Sequence, residues 1–405
     1  MRPLTEFHGP ALFSYGFRPF FLAATLFGLC VVPIWWLIWR GQVPLAGPFI
    51  PADWHIHEMI FGYGSAVVAG FLFTAVPNWT GGLPTRGYPL AALLSVWIAG
   101  RLAVAGLIGF GSFGVMLVDQ AFLLAVATMI AREIIAGKNW RNLKVLVPVI
   151  LFWIANLVFH IEVMRGGFAD VGRRLGIALL IFLIMLIGGR IIPSFTRNWL
   201  ARRPGVRLPI AFNRFDRMAL VVSAAALLTW IALPFDLLCA ALAGLAAVLQ
   251  LVRLWRWRGV ATVTSPLLIM LHLAYLLVPL GFLAVAAGAL GVASPALAAH
   301  IFGIGAIGGM TVAVMMRATM GHTGRELVAG PVLTLAFGLL ILAALLRVSE
   351  EWIDGVEFDG IAMAAVAWTA AFALLAWRLA PWLVSVKISR KAATTLTRWK
   401  GAERR

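Results

Sequence analysis

Long apolar stretches recur along the whole chain, and the short segments between them carry most of the polar and charged residues. An α-helix needs about 20 residues to cross a hydrocarbon core of roughly 30 Å, and the stretches have that length. The pattern predicts an all-α membrane protein with twelve transmembrane helices, at positions 19–39, 55–76, 88–108, 112–131, 144–163, 174–193, 216–234, 236–254, 264–286, 296–316, 329–347 and 360–380.

Composition and charge support this class and suggest an orientation. The 405 residues are 62% hydrophobic and only 12% charged, about half the charged share of a soluble domain. The net charge of +17 comes from lysines and arginines in alternate loops, as cytoplasmic loops of membrane proteins require. We therefore expect both termini, including a basic tail over 381–405, to be cytoplasmic. We expect anionic lipid, and not nucleic acid, as the partner of the basic residues.

The ends of three spans share a register that indicates internal repeats. Aligning Pro77 with Pro193 and Met320 also aligns three threonines, and three polar residues lie twenty positions upstream of these anchors: His57, Arg173 and His300. The register predicts one membrane domain built from three units of four helices, at about 1–131, 132–254 and 255–380.

Four of the seven histidines fall at one predicted depth, near the outer end of the spans. His55 and His57 open the second span, His160 ends the fifth, and His300 begins the tenth, whereas His272 lies deeper in the ninth. Imidazole is a common ligand of haem iron and copper, and helical bundles build such sites from facing helices. We therefore expect His55, His57 and His300 to bind a metal or haem, with His160 and His272 as further candidate ligands.

The geometry of a helix and the neighbouring polar residues refine this expectation. His55 and His57 point about 200° apart on a helix, so they serve two different sites, or one ligates and the other supports it. Residues that would orient a ligand or hold an anionic group are Glu58, Asn156, Tyr275 and Arg173. The alternatives are interfacial polar anchors, a helix–helix hydrogen bond for His272 with Tyr275, and a salt bridge from Arg173 to Glu162 or Asp170.

A second group of polar residues falls on the predicted cytoplasmic side. It comprises Asn78, Trp79, Arg317, His322 and Arg325. This group would form an anion or propionate clamp, or a polar gate. The alternative is that these residues are the usual occupants of loops that turn at a membrane face.

Three segments resemble the NnrS family: "FRPFFL" at 17–22, "WHIHEMIFGYGSAVVAGFLFTAVPNWTG" at 54–81, and the stretch from His300 to Pro331 that contains "GHTGR". The resemblance extends over the whole chain. It implies a protein of the bacterial cytoplasmic membrane that contains haem and copper and is linked to nitric oxide and nitrosative stress. The positions that match are His55, His57, Glu58, His300, His322 and Arg325.

These observations lead to one expected function and two alternatives. The expected function is binding of nitric oxide, or relief of its iron–nitrosyl products, at a histidine-ligated site, with a respiratory or denitrification protein as electron donor. Whether the protein is an enzyme is left open, because the spans show no carboxylate-rich path for protons. The alternatives are a secondary transporter for copper or haem, which two six-helix repeats would favour, and an assembly partner of a respiratory complex.

Overall fold

The computed structural model describes residues 7–203, 205–351 and 359–388, and within these ranges the chain is helical and has no strand. Twelve helices follow one another: α1 Phe17–Trp39, α2 Pro51–Thr80, α3 Tyr88–Val104, α4 Ser112–Ala136, α5 Asn142–Met164, α6 Asp170–Leu200, α7 Arg214–Ala232, α8 Leu237–Trp255, α9 Pro266–Ala289, α10 Pro295–His322, α11 Gly330–Ser349 and α12 Gly360–Val384.

The predicted all-α membrane class is confirmed. Eleven of these helices have the length and hydropathy to cross a membrane, and only α3, with 17 residues, is shorter. Apolar side chains are exposed all around the bundle, as contact with membrane lipid requires. The protein is therefore a multi-pass membrane protein. Its orientation stays a prediction, and residues 389–405 of the expected basic tail lie outside the described residues.

Successive helices are joined by loops at alternating ends of the bundle. We call the end with loops 81–87, 137–141, 201–213, 256–265 and 323–329 the basic face, and the other end the opposite face. At the opposite face, α7 and α8 form the predicted tight hairpin. The carboxylate of Asp236 caps α8 there by accepting a hydrogen bond from the backbone N–H of Leu238, at 2.7 Å.

Helices α2, α6 and α10 are the longest of the bundle and lie at its centre. Each contains a segment with the wider turn of a π-helix, at Glu58–Tyr63, Ile184–Gly188 and Ile301–Gly308. The hydroxyls of Tyr63 in α2 and Thr311 in α10 are 2.8 Å apart, and α6 packs against both helices. Such segments are often found at functional sites. Those of α2 and α10 line the cavity described below, whereas Ile184–Gly188 of α6 does not.

The other helices close a ring around this centre. Helix α4 packs on α5, α8 packs on α9, and α12 packs back on α1. The last contact includes a hydrogen bond of 2.7 Å from the indole of Trp368 to the carbonyl of Gly28. The fourth helix of each predicted unit therefore contacts the first helix of the next unit, and the third unit returns to the first.

A buried polar network ties α7, α8 and α9 together in the half of the bundle near the basic face. Arg253 donates to the carboxylate of Asp216 and to the hydroxyl of Tyr275, each at 3.0 Å, and Tyr275 donates to Gln250 at 2.7 Å. The Nδ1 atom of His272 lies 2.8 Å from the Leu268 carbonyl. His272 and Tyr275, expected to be a ligand and its support, are thus separate from the histidines at the opposite face.

Candidate functional site

The entry of α2 is helical from Pro51, so His55 and His57 point to opposite sides of the helix, as their spacing predicts. His55 lines a large cavity that also contains His300. His57 lies in a buried polar cluster with His160. The four histidines expected at one depth are therefore divided into two pairs, and His57 and His300 belong to different sites.

The first site is a cavity of about 530 Å³ between α2, α6 and α10, in the half of the bundle near the opposite face. Most of its wall is apolar and aromatic, and includes Trp35, Met59, Tyr63, Trp230 and Trp368. A volume of this size and a predominantly apolar wall with a few polar groups are typical of pockets that hold an organic ligand or cofactor.

The two imidazoles of the cavity are oriented by their surroundings. The Nδ1 atom of His300 lies 2.8 Å from the carbonyl of Ala296 and donates to it, so the Nε2 lone pair is available to a ligand. The ring of His55 stacks on Trp35, with centroids 4.2 Å apart. Its buried Nδ1 atom has no hydrogen-bond partner among the described residues. Both rings are thus placed to interact with a bound molecule.

Positive charge is concentrated around this cavity. Three arginines line it, Arg173, Arg174 and Arg347, whereas among the described residues Asp170 is the one acidic side chain in its wall. Arg173 forms an ion pair with Asp170, which is one of the alternatives predicted for it. The buried Nε atom of Arg174 has no partner among the described residues. The wall therefore favours a ligand that carries negative charge.

The second site is a cluster of polar side chains between α2, α3, α4 and α5. Its six members are His57, Glu58, Arg101, Asp119, Asn156 and His160. All are buried, and the most exposed, Arg101, is only 8% exposed. The Nδ1 atom of His57 lies 3.0 Å from the carboxylate of Glu58, and its Nε2 atom lies 2.9 Å from the Asn156 side-chain oxygen. Glu58 and Asn156 therefore contact an imidazole, as their predicted supporting role requires.

Asp119 is at the centre of this cluster. One of its oxygens lies 3.2 Å from Nε2 of His57 and 3.0 Å from Nε2 of His160, and it accepts a hydrogen bond of 2.7 Å from Asn156. Arg101 bridges the two carboxylates, with 2.9 Å to Glu58 and an ion pair to Asp119. The two imidazole nitrogens and the Asp119 oxygen lie within 4.8 Å of one another, a grouping that can hold a metal ion.

Small and aromatic residues make this cluster possible. A Cβ atom at position 62 would lie 2.6 Å from the guanidinium of Arg101, so the glycine allows Arg101 to reach Glu58. The rings of Phe49, Phe61 and Phe159 surround His57, with centroids between 4.9 and 5.4 Å from its own. The cluster is therefore shielded by aromatic side chains.

Sequence reasoning missed Asp119 and Arg101, although a signal was present. Both are ionisable residues inside apolar spans, and such residues mark functional sites in membrane proteins. The four histidines indicate imidazole ligands alone. They do not indicate that Asp119 lies at a membrane depth similar to that of His160. A comparison of the depths of all intramembrane charges would have placed both residues at the level of His57.

The polar residues expected to form one group at the basic face lie in three separate places. The backbone carbonyl of Trp79, next to Asn78, accepts from Asn139 and Asn142, at 3.2 and 3.4 Å. Arg317 packs over the ring of Phe195. The ring of His322 packs on Phe17, and Arg325 lies over Trp382. These contacts join each of the residues to a neighbouring loop or helix, and a clamp or gate formed by the group stays a prediction.

The fold and the two sites define a multi-pass helical membrane protein with a central histidine-lined cavity and an adjacent buried His–Asp–His cluster. The family model described as NnrS protein matches residues 11–387. The match covers most of the chain, which therefore belongs to the NnrS family. A search of curated proteins found no match to the chain.

Proposed function

We propose that this protein binds haem in the central cavity and acts on nitric oxide there, with copper as a second cofactor. The observation that carries the proposal is the cavity itself, in which two imidazoles from α2 and α10 face an apolar, aromatic space with arginines in its wall. The family provides the expectation of haem, copper and nitric oxide, and the cavity provides a place in which haem fits.

The residues of the cavity match the three chemical parts of haem. Histidines that bind haem iron usually have their Nδ1–H held by a backbone carbonyl, and His300, which would hold the iron, has that form. The aromatic wall suits a flat apolar ring. Haem also carries two propionates, and Arg173, Arg174 and Arg347 are the side chains that would hold them. The unpartnered Nδ1 of His55 and Nε of Arg174 support the same fit.

In this arrangement each part of the cavity has a defined task. His300 would hold the iron, and His55, fixed by its stacking on Trp35, would face the same ligand. Haem, when bound, supplies an iron that coordinates small π-acceptor gases such as nitric oxide. The apolar wall keeps water away from that iron. Nitric oxide is itself apolar and reaches such a cavity through lipid, so no aqueous channel is required.

The closed ring of helices is evidence on the alternative function, a secondary transporter for copper or haem. We propose that the three groups of four helices are structural repeats, because each contacts the next in the same way and the third contacts the first. Many secondary transporters instead have two repeats that move against each other around the substrate. A ring of three units around a fixed cavity is better suited to holding a cofactor than to alternating access.

Two further parts of the proposal concern the location and the partner. We place the protein in the bacterial cytoplasmic membrane with its basic face in the cytoplasm, because the alternating loops carry the lysine and arginine excess. The cavity then opens near the outer side. Reduction of nitric oxide, as distinct from binding, requires electrons, and a respiratory or denitrification protein is the partner class that would supply them.

The proposal predicts that purified protein is coloured and that its colour depends on His300. We expect a Soret band that shifts on addition of nitric oxide. His300→Ala should lower the haem content about tenfold or more, because it removes the side chain that would hold the iron. The measurement is a pyridine haemochrome assay with optical titration. The control is His8→Ala, which removes an exposed histidine that belongs to neither site.

Two outcomes would contradict this proposal. Colourless wild-type protein that moves copper or haem across vesicle membranes would support the transporter instead. Wild-type haem content in the His300→Ala variant would show that the cavity imidazole does not hold the iron.

A further inference from the structure

We propose that the His57–Asp119–His160 cluster is a mononuclear site for a divalent first-row transition-metal ion, separate from the haem cavity. This inference deepens the proposed function, because it gives the second cofactor a place and a ligand set. It rests on the geometry and charge of the cluster and does not require that haem be bound in the cavity.

The spacing of the donor atoms is that of a coordination sphere. Metal–ligand bonds to imidazole nitrogen and carboxylate oxygen are about 2.0–2.2 Å long, so neighbouring donors around one ion lie about 3.0–3.5 Å apart. The Asp119 oxygen lies 3.2 Å from the His57 nitrogen and 3.0 Å from the His160 nitrogen. Small side-chain movements are therefore sufficient to accommodate an ion.

The hydrogen bond to Glu58 prepares His57 as a ligand. Its Nδ1 atom faces the Glu58 carboxylate at 3.0 Å, which holds a proton on that nitrogen. The Nε2 atom then faces two oxygens, of Asn156 at 2.9 Å and of Asp119 at 3.2 Å. Both oxygens carry lone pairs, so either a proton on Nε2 or a metal ion lies between these atoms. A metal ion would in addition be shared with His160, whose Nε2 atom lies 3.0 Å from the same Asp119 oxygen.

The charge of the cluster points in the same direction. Two carboxylates, Glu58 and Asp119, are paired with one guanidinium, Arg101, which leaves a net charge of −1 before any cation is added. These groups are all buried, and an unpaired buried charge in a membrane protein is costly. The net negative charge therefore favours a bound cation, either a metal ion or a proton on one of the two imidazoles.

The donor types select the class of ion. Two imidazoles and one carboxylate form the set known from non-haem iron centres, and the same set suits Zn²⁺ and Cu²⁺. Cu⁺ prefers the sulfur of cysteine or methionine, and the cluster contains neither. We therefore assign a divalent ion, and the copper implied by the family would be bound here as Cu²⁺.

The test is a metal count on the intact purified protein, with haem iron subtracted. Elemental analysis gives total iron, copper and zinc, and the pyridine haemochrome assay gives the iron that belongs to haem. We expect about one non-haem ion per chain in the wild type, either as purified or after incubation with Cu²⁺, Fe²⁺ or Zn²⁺. Asp119→Asn should lower the non-haem metal content at least tenfold and leave the haem content unchanged. The control Asp236→Asn, at an exposed helix cap, should change neither the metal content nor the haem content.

A spectroscopic measurement on the wild type avoids any effect of the substitution on folding. Electron paramagnetic resonance of protein loaded with Cu²⁺ should show nitrogen hyperfine coupling from two imidazoles. Absence of a non-haem ion after incubation with all three metals, or a copper signal without nitrogen coupling, would overturn the proposal and leave a hydrogen-bonded ion network. The absence of haem from the same samples would contradict the cavity proposal alone.

Discussion

Replacing Arg101 by methionine is expected to destabilise the protein by about 3–5 kcal/mol, because the substitution removes the guanidinium that pairs with two buried carboxylates. Arg101 is the one guanidinium of the polar cluster, and it contacts both Glu58 and Asp119. Methionine is unbranched and replaces most of the apolar stem of arginine, so lost packing contributes less to this difference than the lost charge. Denaturant titration of the protein in detergent micelles measures the effect on the free energy of unfolding.

Two further variants separate the effect of charge from other causes. Arg101→Met combined with Glu58→Gln restores the original net charge and should recover part of the lost stability. Arg173→Met removes an arginine whose ion pair with Asp170 is partly exposed, and it should cost less than about 1 kcal/mol. If Arg101→Met were as mild as Arg173→Met, the cluster would not be the tightly coupled ion network described here.

Filling the cavity without altering its histidines is expected to abolish haem binding. Gly303 lines the cavity, and a Cβ atom built at this position meets no other atom within 4 Å. Gly303→Phe therefore places a ring in open space where the cofactor would lie. The haem content should fall by at least about tenfold, whereas the non-haem metal of the polar cluster should be retained. Pyridine haemochrome and elemental analysis measure both quantities.

The matched control for this variant is Gly338→Phe. Gly338 also has open space at its Cβ position, but it is exposed on the outer surface of α11 and does not line the cavity. This variant should keep its haem. Normal haem content in Gly303→Phe, or equal loss of haem in the two variants, would show that the cofactor does not lie in the central cavity.

The sequence predicted the helices well because hydrophobic length is a local property. Twelve helices lie at the positions of the twelve predicted spans, and eleven of them are long and apolar enough to cross a membrane, so the count of twelve spans stays a prediction. The α7–α8 hairpin follows from the few residues between two apolar runs. The predicted ends of the helices were less accurate. Helix α2 begins at Pro51 and ends at Thr80, beyond the apolar core at both ends, because polar residues at helix ends still satisfy their backbone hydrogen bonds within the helix.

The separation of His55 and His57 could also be predicted from the sequence, since an offset of two residues on a helix places side chains on opposite sides. The residues that each histidine contacts could not be predicted. Depth along the membrane can be counted from a span boundary, but the direction in which α5 and α10 turn their histidines depends on packing. The cyclic order of the helices brings α10 to the side of His55, and α5 to the side of His57, through contacts between residues far apart in the chain.

Asp119 illustrates a second limit. Its position in an apolar span marks it as a special residue, but its role depends on three other helices, which supply His57, Arg101 and His160. Pairs of residues from different helices have no common sequence motif. The π-helical segment at Glu58–Tyr63 adds a further difficulty, because it changes the rotational phase of every residue that follows it in α2.

The central claim is that the two neighbouring imidazoles of α2 belong to two separate cofactor sites. Counting haem and non-haem metal per chain in His57→Ala and His300→Ala tests it most directly. We predict that His57→Ala keeps its haem and loses the non-haem ion, and that His300→Ala loses its haem and keeps the ion. The claim would be contradicted if each variant lost both haem and the non-haem ion, or if neither variant lost either cofactor.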